Sequence, residues 1–343
     1  MMRYIGLDIH KKMCVATEMD KDGTILRENQ RIETTQEALH DYFAPIEQGK
    51  VAIESTGNWE YVYEILDDLG LDVVLVNPVK ARAIAEAKIK TDTIDSRILA
   101  HLLRSNLIPA VYVGDKAMRD LKRRITERLF LTKQATQLKN RIHATLLRRG
   151  IRPAIRLFTK QGNDYLHSLG IPSIKRALTL LKAVKTEIAA IDNELKDIYQ
   201  DNNDAQLLTS IFGIGRYTAL SIVAVIGDIN RFTSSEKLSS YFGLVPSTHQ
   251  SAEKAYHGHI TKRGPSTVRF LLIQCTWIHV TRSQSFLTRF YRRIAHKKGK
   301  SKAIVATARK LTRVMYWMLK EKEPFHSEGY VPRRVHAART ARI

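Results

Sequence analysis

The stretch Tyr-Ile-Gly-Leu-Asp-Ile-His-Lys-Lys-Met-Cys-Val-Ala-Thr at residues 4–17 sets the character of the N-terminal region. Its two apolar runs, Tyr4–Asp8 and Met13–Thr17, have the length and composition of short β-strands joined by a charged turn. A third run, Ile25–Ile32, follows the turn signal Asp22-Gly23. The sequence therefore predicts a three-stranded meander.

Helices and strands alternate after this meander. Thr35 is expected to cap a helix, Val51–Ile53 forms a strand, a second helix ends at Gly70, and Val73–Val76 is a buried strand. This order predicts a mixed sheet with helices on both faces.

Long helices are predicted beyond Pro109. Residues 115–150 lack proline and glycine until Gly150, and leucine and isoleucine recur through them. A second helix carries apolar residues at alternating steps of three and four: Ile174, Leu178, Leu181, Val184, Ile188, Ile191, Leu195 and Ile198. This seam indicates an antiparallel hairpin, an oligomerising coiled coil, or a helix packed on its own domain.

The composition excludes several classes of protein. With 44% hydrophobic residues the 343-residue chain can fold, and its length suits more than one domain. Cys14 and Cys275 cannot build a disulfide framework or a cysteine-rich zinc site. The sequence has no apolar run of the roughly 20 residues that a membrane helix needs, and its start does not resemble a signal peptide. We therefore expect a cytoplasmic protein that does not enter membranes.

The net charge of +22 is unevenly distributed. Residues 1–95 carry a net charge of −7, whereas residues 110–160 carry +11 and residues 255–343 carry +17. Segments this basic are typical of nucleic-acid binding. A generally basic protein and a membrane-surface binder are the alternatives.

Four carboxylates lie where a sheet could gather them. Asp8 and Glu54 end predicted strands, and Asp92 and Asp95 are spaced to share one face at a helix start. Together they would suit Mg²⁺ or Mn²⁺, and two such ions could support phosphoryl transfer. Taken singly, each acid could equally end a strand, precede a turn or cap a helix.

The C-terminal half contains two segments suited to phosphate. Gly213, Gly215 and Arg216 lie between two helical segments and resemble a helix-hairpin-helix turn, although an ordinary glycine-containing turn would read the same way. A polar loop or hairpin at 247–264 carries serines together with Lys254, Lys262 and Arg263. Its three histidines match no common zinc spacing.

These pieces together resemble the insertion-sequence transposases that join a RuvC-like DEDD domain to a C-terminal transposase domain, the bridge-RNA-guided recombinases. The resemblance runs nearly end to end, and the matching motifs occur in family order: Gly6-Leu7-Asp8, Glu54-Ser55-Thr56-Gly57, Asn77-Pro78, Lys90-Thr91-Asp92-Thr93-Ile94-Asp95, Gly213-Ile214-Gly215, and Gly243-Leu244-Val245-Pro246 followed by Ser251.

The resemblance implies a fold and a chemistry. It implies an RNase H/RuvC-like domain at 1–110, a coiled-coil hairpin at 111–203, a helix-rich transposase domain at 204–325 and a basic tail at 326–343. The four carboxylates would bind Mg²⁺ or Mn²⁺, and Ser251 would form a covalent phosphoserine link to DNA. Ala252 stands where the family often has glycine, so Ser247 is the alternative nucleophile.

The resemblance also implies partners. DNA at the element ends and target, a noncoding guide RNA and a homo-oligomer, dimer or tetramer, are expected, with carboxylates and serine contributed by different subunits and the protein associated with the nucleoid. Two rivals are a RuvC-like junction resolvase or nuclease that uses water, and a catalytically silent nucleic-acid-binding protein.

Overall fold

A computed structural model describes residues 1–55, 57–84, 91–251 and 254–329, apart from the side chains of residues 248–251 and 254–257. The chain divides into two compact units, Met1–Val113 and Gly114–Ile343. The finer division into four segments stays a prediction, and the predicted basic tail at 326–343 lies outside the described residues from residue 330 onward. Within the described residues, no helix is both long and apolar enough to cross a membrane.

The N-terminal unit is built on the predicted mixed sheet. Its described strands are β1 (Arg3–Ile9), β2 (Met13–Met19), β3 (Ile25–Glu33), β4 (Gly49–Glu54) and β5 (Asp72–Val76). They lie in the order β3-β2-β1-β4-β5. β1 to β3 pair antiparallel, which confirms the meander, and β1, β4 and β5 pair parallel.

Helices cover both faces of this sheet, as predicted. The described helices are α1 (Gln36–Phe43), α2 (Trp59–Asp68), α3 (Pro78–Ile84) and α4 (Asp92–Arg104). Thr35 caps α1 by accepting the Ala38 N–H. Apolar side chains of α1 and α2 pack on one sheet face, and those of α3 and α4 pack on the other. The alternation of side chains along each strand thus supplies a core to both layers.

The described elements of the C-terminal unit are almost entirely helical. They are α5 (Lys116–Arg148), α6 (Lys160–Ser168), α7 (Pro172–Gln200), α8 (Asn203–Thr209), α9 (Arg216–Ile226), α10 (Ser235–Tyr241), β6 (Pro246–Ser251), β7 (Lys254–Ile260), α11 (Ser266–Arg282), α12 (Phe286–Lys298) and α13 (Lys300–Glu321), with a short 3₁₀ helix at Ile229–Arg231.

The two longest helices form an antiparallel hairpin. The start of α5 meets the end of α7, where Arg124 pairs with Glu194 at 2.8 Å and Arg128 pairs with Asp192. At the other end of the hairpin, Ile142 of α5 packs in one cluster with Ile174 of α7. Of the alternatives left open by the apolar seam, the hairpin is therefore the arrangement within this chain.

The segment at 247–264, expected as a polar loop or hairpin, is a hairpin of β6 and β7. Two glycines fix its base. Gly243 has φ +67°, and a Cβ there would lie 2.2 Å from the Arg263 carbonyl oxygen; one at Gly264 would lie 2.0 Å from that of Tyr241. Leu244 anchors the hairpin in the helical core. Only glycine permits so close an approach of two backbones.

Candidate metal and nucleic-acid sites

A glycine contact places the start of α4 beside the end of β1. A Cβ on Gly6 would lie 1.9 Å from the Ser96 carbonyl oxygen and 2.5 Å from the Ala100 nitrogen. The buried hydroxyl of Ser96 also lies 2.9 Å from that of Thr17 on β2. Because α4 rests directly on the backbone of β1, the first turn of α4 lies close to Asp8.

Strand register places Asp8 and Glu54 side by side. Leu7 pairs with Ile53 in the parallel β1–β4 ladder, so the next residue of each strand lies at the same carboxyl edge of the sheet. Both also lie on the face that α4 covers, since their alternation matches that of Gly6. The register thus brings two of the predicted carboxylates to one edge.

The tightest group of possible metal ligands at this edge consists of Asp8, His10 and Asp92, which we call the carboxylate cluster. One ligand atom from each lies within 4.8 Å of the others. His10 Nε2 lies 3.1 Å from Asp8 Oδ2 and 3.3 Å from Asp92 Oδ1. A single imidazole nitrogen therefore stands between two carboxylates, in a position that an oxygen-bound cation could take.

The surroundings of Asp8 differ from those of another buried acid in the same unit. Glu18 is fully buried, but Arg3 lies 2.8 Å from its carboxylate and the Tyr42 hydroxyl donates to it at 2.6 Å. Asp8 is 8% exposed, and burial together with the charges of Asp95 and Asp92 raises its pKa, while His10 opposes that rise.

The difference between the surroundings of Asp8 and Glu18 indicates whether the carboxylate cluster fits a cation. Among the described residues, the ion-pair partner of Asp8 is a histidine, without the arginine that neutralises Glu18. Crowded carboxylates with hard oxygen donors are the ligands that Mg²⁺ and Mn²⁺ prefer. The donor set therefore fits a divalent cation.

The remaining predicted carboxylates lie next to this cluster without joining it. Asp95 is one turn into α4, close enough for its charge to act on Asp8. Glu54 ends β4 and is half-buried. Among the described residues neither belongs to the group that lies within 4.8 Å. Their assignment as metal ligands stays a prediction.

His10 was not among the site residues predicted from sequence. Its backbone is held by the turn after β1: its N–H donates to the Met13 carbonyl at 3.0 Å, and its carbonyl accepts from Thr34 and from Asn58. The available signal was its position two residues beyond Asp8, just past the strand end. A histidine in the turn that follows an acidic strand end is therefore a candidate site residue, as the acids are.

The glycine turn between α8 and α9, predicted to contact phosphate, packs closely on α11 and leads into an exposed helix start. Gly213 has φ +97°, and a Cβ there would lie 2.9 Å from the Cys275 carbonyl oxygen. Gly215 is the N-cap of α9 and has open space around its Cβ position. Arg216 is exposed, and the first turn of α9 contains no acid. Exposed N–H groups at such a helix start can approach a phosphate.

A buried histidine of α11 contacts this turn and stabilises it. The ring of His279, on α11, contacts the Phe212 carbonyl through Nδ1 at 2.9 Å and the Ser285 hydroxyl through Nε2 at 2.7 Å. His279 is 1% exposed, and burial lowers its pKa. The neutral ring can donate to the carbonyl and accept from the hydroxyl at once.

The hairpin carries the predicted nucleophile and its basic neighbours. The backbone of Ser251 pairs with Lys254 where β6 ends and β7 begins; both side chains lie outside the described part. Lys262 and Arg263 are exposed at the hairpin base. The alternative nucleophile, Ser247, donates its hydroxyl to the His259 carbonyl at 3.1 Å.

Comparison with known proteins identifies relatives over most of the chain. A transposase family model of the IS110 DEDD type matches residues 5–150. A second model, described as "Transposase IS116/IS110/IS902 family", matches residues 205–292. The two matches include the carboxylate cluster, the glycine turn and the hairpin.

Individual relatives align along nearly the whole length. The transposase for insertion sequence element IS1111A of Coxiella burnetii is 26% identical over 336 residues, covering 94% of this chain and 91% of that protein. The transposase for IS1328 of Yersinia enterocolitica is 29% identical, covering 81% and 84%. The pilin gene-inverting protein of Moraxella lacunata is 26% identical, covering 94% and 97%.

Proposed function

Because the chain belongs to the IS110/IS116 family of transposases, enzymes that act on DNA, we propose that it exchanges DNA strands with a carboxylate-bound metal and a serine nucleophile. The observation that carries this proposal is the convergence of Asp8 and Asp92 on one histidine nitrogen, at the edge of the sheet. We further infer that this sheet is RNase H/RuvC-like, which the parallel β1–β4–β5 ladder supports.

The proposed metal ligands are Asp8, Glu54, Asp92 and Asp95, with Mg²⁺ or Mn²⁺ as the ion. A bound cation would supply positive charge to the phosphate oxygens of the DNA. Gly6 and the register of β1 hold the first carboxylate, and α4 carries the last two. His10 is placed to donate to Asp8 or Asp92 and keep them oriented when the cation is not bound.

Ser251 is the proposed nucleophile. Its Oγ would bond to phosphorus as a deoxyribose oxygen leaves, and the hydroxyl proton would pass to that oxygen. A hydroxyl of the second strand would then attack the phosphoserine and release Ser251, so no net hydrolysis occurs. The basic neighbours Lys254, Lys262 and Arg263 would hold the phosphate. Ser247 is the weaker candidate, because its hydroxyl already bonds across the hairpin.

The proposed partners are DNA, a noncoding guide RNA and further copies of this chain. The net charges of +11 over 110–160 and +17 over 255–343 support contacts with nucleic-acid backbones. The glycine turn with Arg216 would contribute one such contact. Base pairing with the RNA would choose the DNA sequence. In this proposal the carboxylates and the serine of one active site come from different copies, in the cytoplasm at the nucleoid.

A supercoiled plasmid that carries the element ends, incubated with guide RNA and Mg²⁺, tests the chemistry. We expect wild-type protein to form protein-linked DNA on a denaturing gel, and Ser251→Ala to form none while still binding DNA. Ser247→Ala is the matched control and should retain the product. Nicks with free ends, unchanged in Ser251→Ala, would instead establish a nuclease that uses water.

Mixing two inactive proteins tests the shared active site. Asp8→Asn lacks a carboxylate and Ser251→Ala lacks the nucleophile, so each should be inactive alone. If different copies supply the two parts, the mixture should regain covalent product. No recovery would mean that both parts act within one copy.

A further inference from the structure

A cavity of about 800 Å³ lies in the C-terminal unit between the base of the β6–β7 hairpin and one face of α13. Among the described residues, the hairpin side includes Leu244, Pro246, Gly258, His259 and Ile260. Phe290 of α12 contributes an aromatic ring.

The face of α13 that lines the cavity is strongly basic. Lys302, Arg309, Lys310 and Arg313 recur at helical spacing along it, and none of the described lining residues is acidic. Arg313 is held in place by Glu236, 2.9 Å away. Glu236 compensates the charge of Arg313, so Lys302, Arg309 and Lys310 present the positive charge to a ligand, which indicates an anion.

Lys310 shows how crowded this charge is. Its ammonium lies 4.5 Å from the centre of the Phe290 ring and 5.2 Å from that of Phe286. Burial, followed by the charges of Arg293 and Arg313, lowers the pKa of Lys310. A phosphate bound between these cations would relieve their mutual repulsion.

The cavity is larger and more apolar than a phosphate requires. Val305 and Ala306 lie between the cations on α13 and face Leu244, Pro246 and Phe290. Ligand cavities of 300–1,000 Å³ with apolar walls and a few polar groups typically hold small organic molecules. A nucleobase has the flat apolar faces that such walls accept.

We propose that this cavity receives one unpaired nucleotide of a nucleic-acid strand, with the base against the apolar wall and its phosphate on Lys302, Arg309 and Lys310. The proposal extends the proposed function and rests on it in one respect, the assignment of Ser251 as the nucleophile. Pro246 begins β6 and Ser251 ends it. One strand of this length spans about 17 Å. An unpaired nucleotide in the cavity would thus fix the strand at a set distance from the nucleophile.

Binding measured by fluorescence anisotropy tests this proposal without any chemistry. Wild-type protein is titrated with three duplexes: one with a single unpaired nucleotide, one with an abasic residue in that place and therefore the same charge, and one fully paired, which lacks the phosphate of the unpaired nucleotide. We expect the unpaired nucleotide to raise affinity at least tenfold over the other two. Equal affinity for the base-containing and abasic duplexes would overturn the proposal.

Two variants locate the preference. Ala306→Phe fills the cavity without changing charge and should abolish the tenfold preference, while affinity for the paired duplex changes less than twofold. Arg292→Gln removes an exposed cation of α12 that does not line the cavity, and should lower all three affinities alike. A preference that survives Ala306→Phe would place the unpaired nucleotide elsewhere and overturn the assignment.

The same titrations with DNA and with RNA identify the source of the nucleotide. A preference seen only with DNA indicates the recombining strand, and one seen only with RNA indicates the guide. Ser251→Ala should keep the preference in either case. The binding preference and the covalent product are separate readouts, so a failure of one leaves the other to be judged by itself.

Discussion

In each unit a glycine allows two backbone segments to pack closely, beside an acidic site in one unit and beside a basic site in the other. At Gly6 a helix lies directly on a strand, and at Gly213 a helix lies directly on a turn; in both places a Cβ would meet a carbonyl oxygen within 3 Å. The helix over Gly6 brings Asp92 to a second carboxylate. The turn at Gly213 leads into a helix whose exposed start carries Arg216 and no acid. Close backbone packing thus fixes the position of each helix, and the neighbouring side chains determine whether a cation or an anion is favoured.

Breaking the first contact should have the largest effect. In Gly6→Ala the new methyl group would lie 1.9 Å from the Ser96 carbonyl, so α4 must move off the sheet. We expect a loss of about 3 kcal/mol in the free energy of unfolding of the N-terminal unit, measured in urea. Gly57→Ala, which has open space, should change it by less than about 0.5 kcal/mol. Equal effects of the two substitutions would contradict the packing argument.

Breaking the second contact should cost less. Gly213→Ala forces alanine into φ +97° and also presses on the Cys275 carbonyl, so we expect a loss of about 2 kcal/mol in the C-terminal unit. Gly170 has φ +62° in open space, and Gly170→Ala should cost about 1 kcal/mol from backbone strain alone. Hydrogen exchange in α11 measures the difference. Identical costs would mean that packing against α11 contributes nothing.

Added Mg²⁺ should stabilise the N-terminal unit, which contains the carboxylate cluster, and not the C-terminal unit. A ligand at ten times its Kd stabilises the folded state by about 1.4 kcal/mol, and Asp92→Asn should remove most of this gain. Asp41→Asn, which alters an exposed acid of α1, should leave it intact. Thermal unfolding with and without Mg²⁺ provides the measurement. The same rise in melting temperature in wild type and Asp92→Asn would remove that carboxylate from the site.

The smallest effect is expected in the C-terminal unit, whose stability should depend on pH through His279. Burial lowers the pKa of His279, so the folded unit keeps the ring neutral while the unfolded chain gains a proton below about pH 6.5. Stability is therefore complete above that pH and falls as the pH drops toward 5. His279→Gln should flatten this dependence for the α11 amides in hydrogen exchange. His296→Gln, at an exposed position, should not, and a similar flattening there would contradict the assignment.

Local sequence features predicted the sheet well. Short apolar runs and the Asp22-Gly23 turn signal predicted the meander, and Thr35 caps α1 as expected from its side chain. The apolar seam of α7 predicted a buried face and left three arrangements open, an antiparallel hairpin among them, because periodicity shows which residues are covered and not by what. The antiparallel partner, α5, emerges only from three-dimensional packing.

The candidate site was less accessible to sequence reasoning. Strand ends and helix starts suggested Asp8 and Asp92, and the structure brings these two together. That His10 lies between them, and that Gly6 is what lets α4 approach, depends on contacts between segments about 80 residues apart. Glu54, Asp95 and Ser251 keep the status of predictions.

That separation has a kinetic consequence. Asp8 lies in β1 and His10 in the turn that follows it, whereas Asp92 begins α4, the last described helix of the same unit. We expect contacts this distant in sequence to form late in folding, because closing the long intervening loop costs conformational entropy. An ion bound at this edge would therefore not nucleate folding. Its presence should leave the folding rate unchanged and lengthen the lifetime of the folded unit.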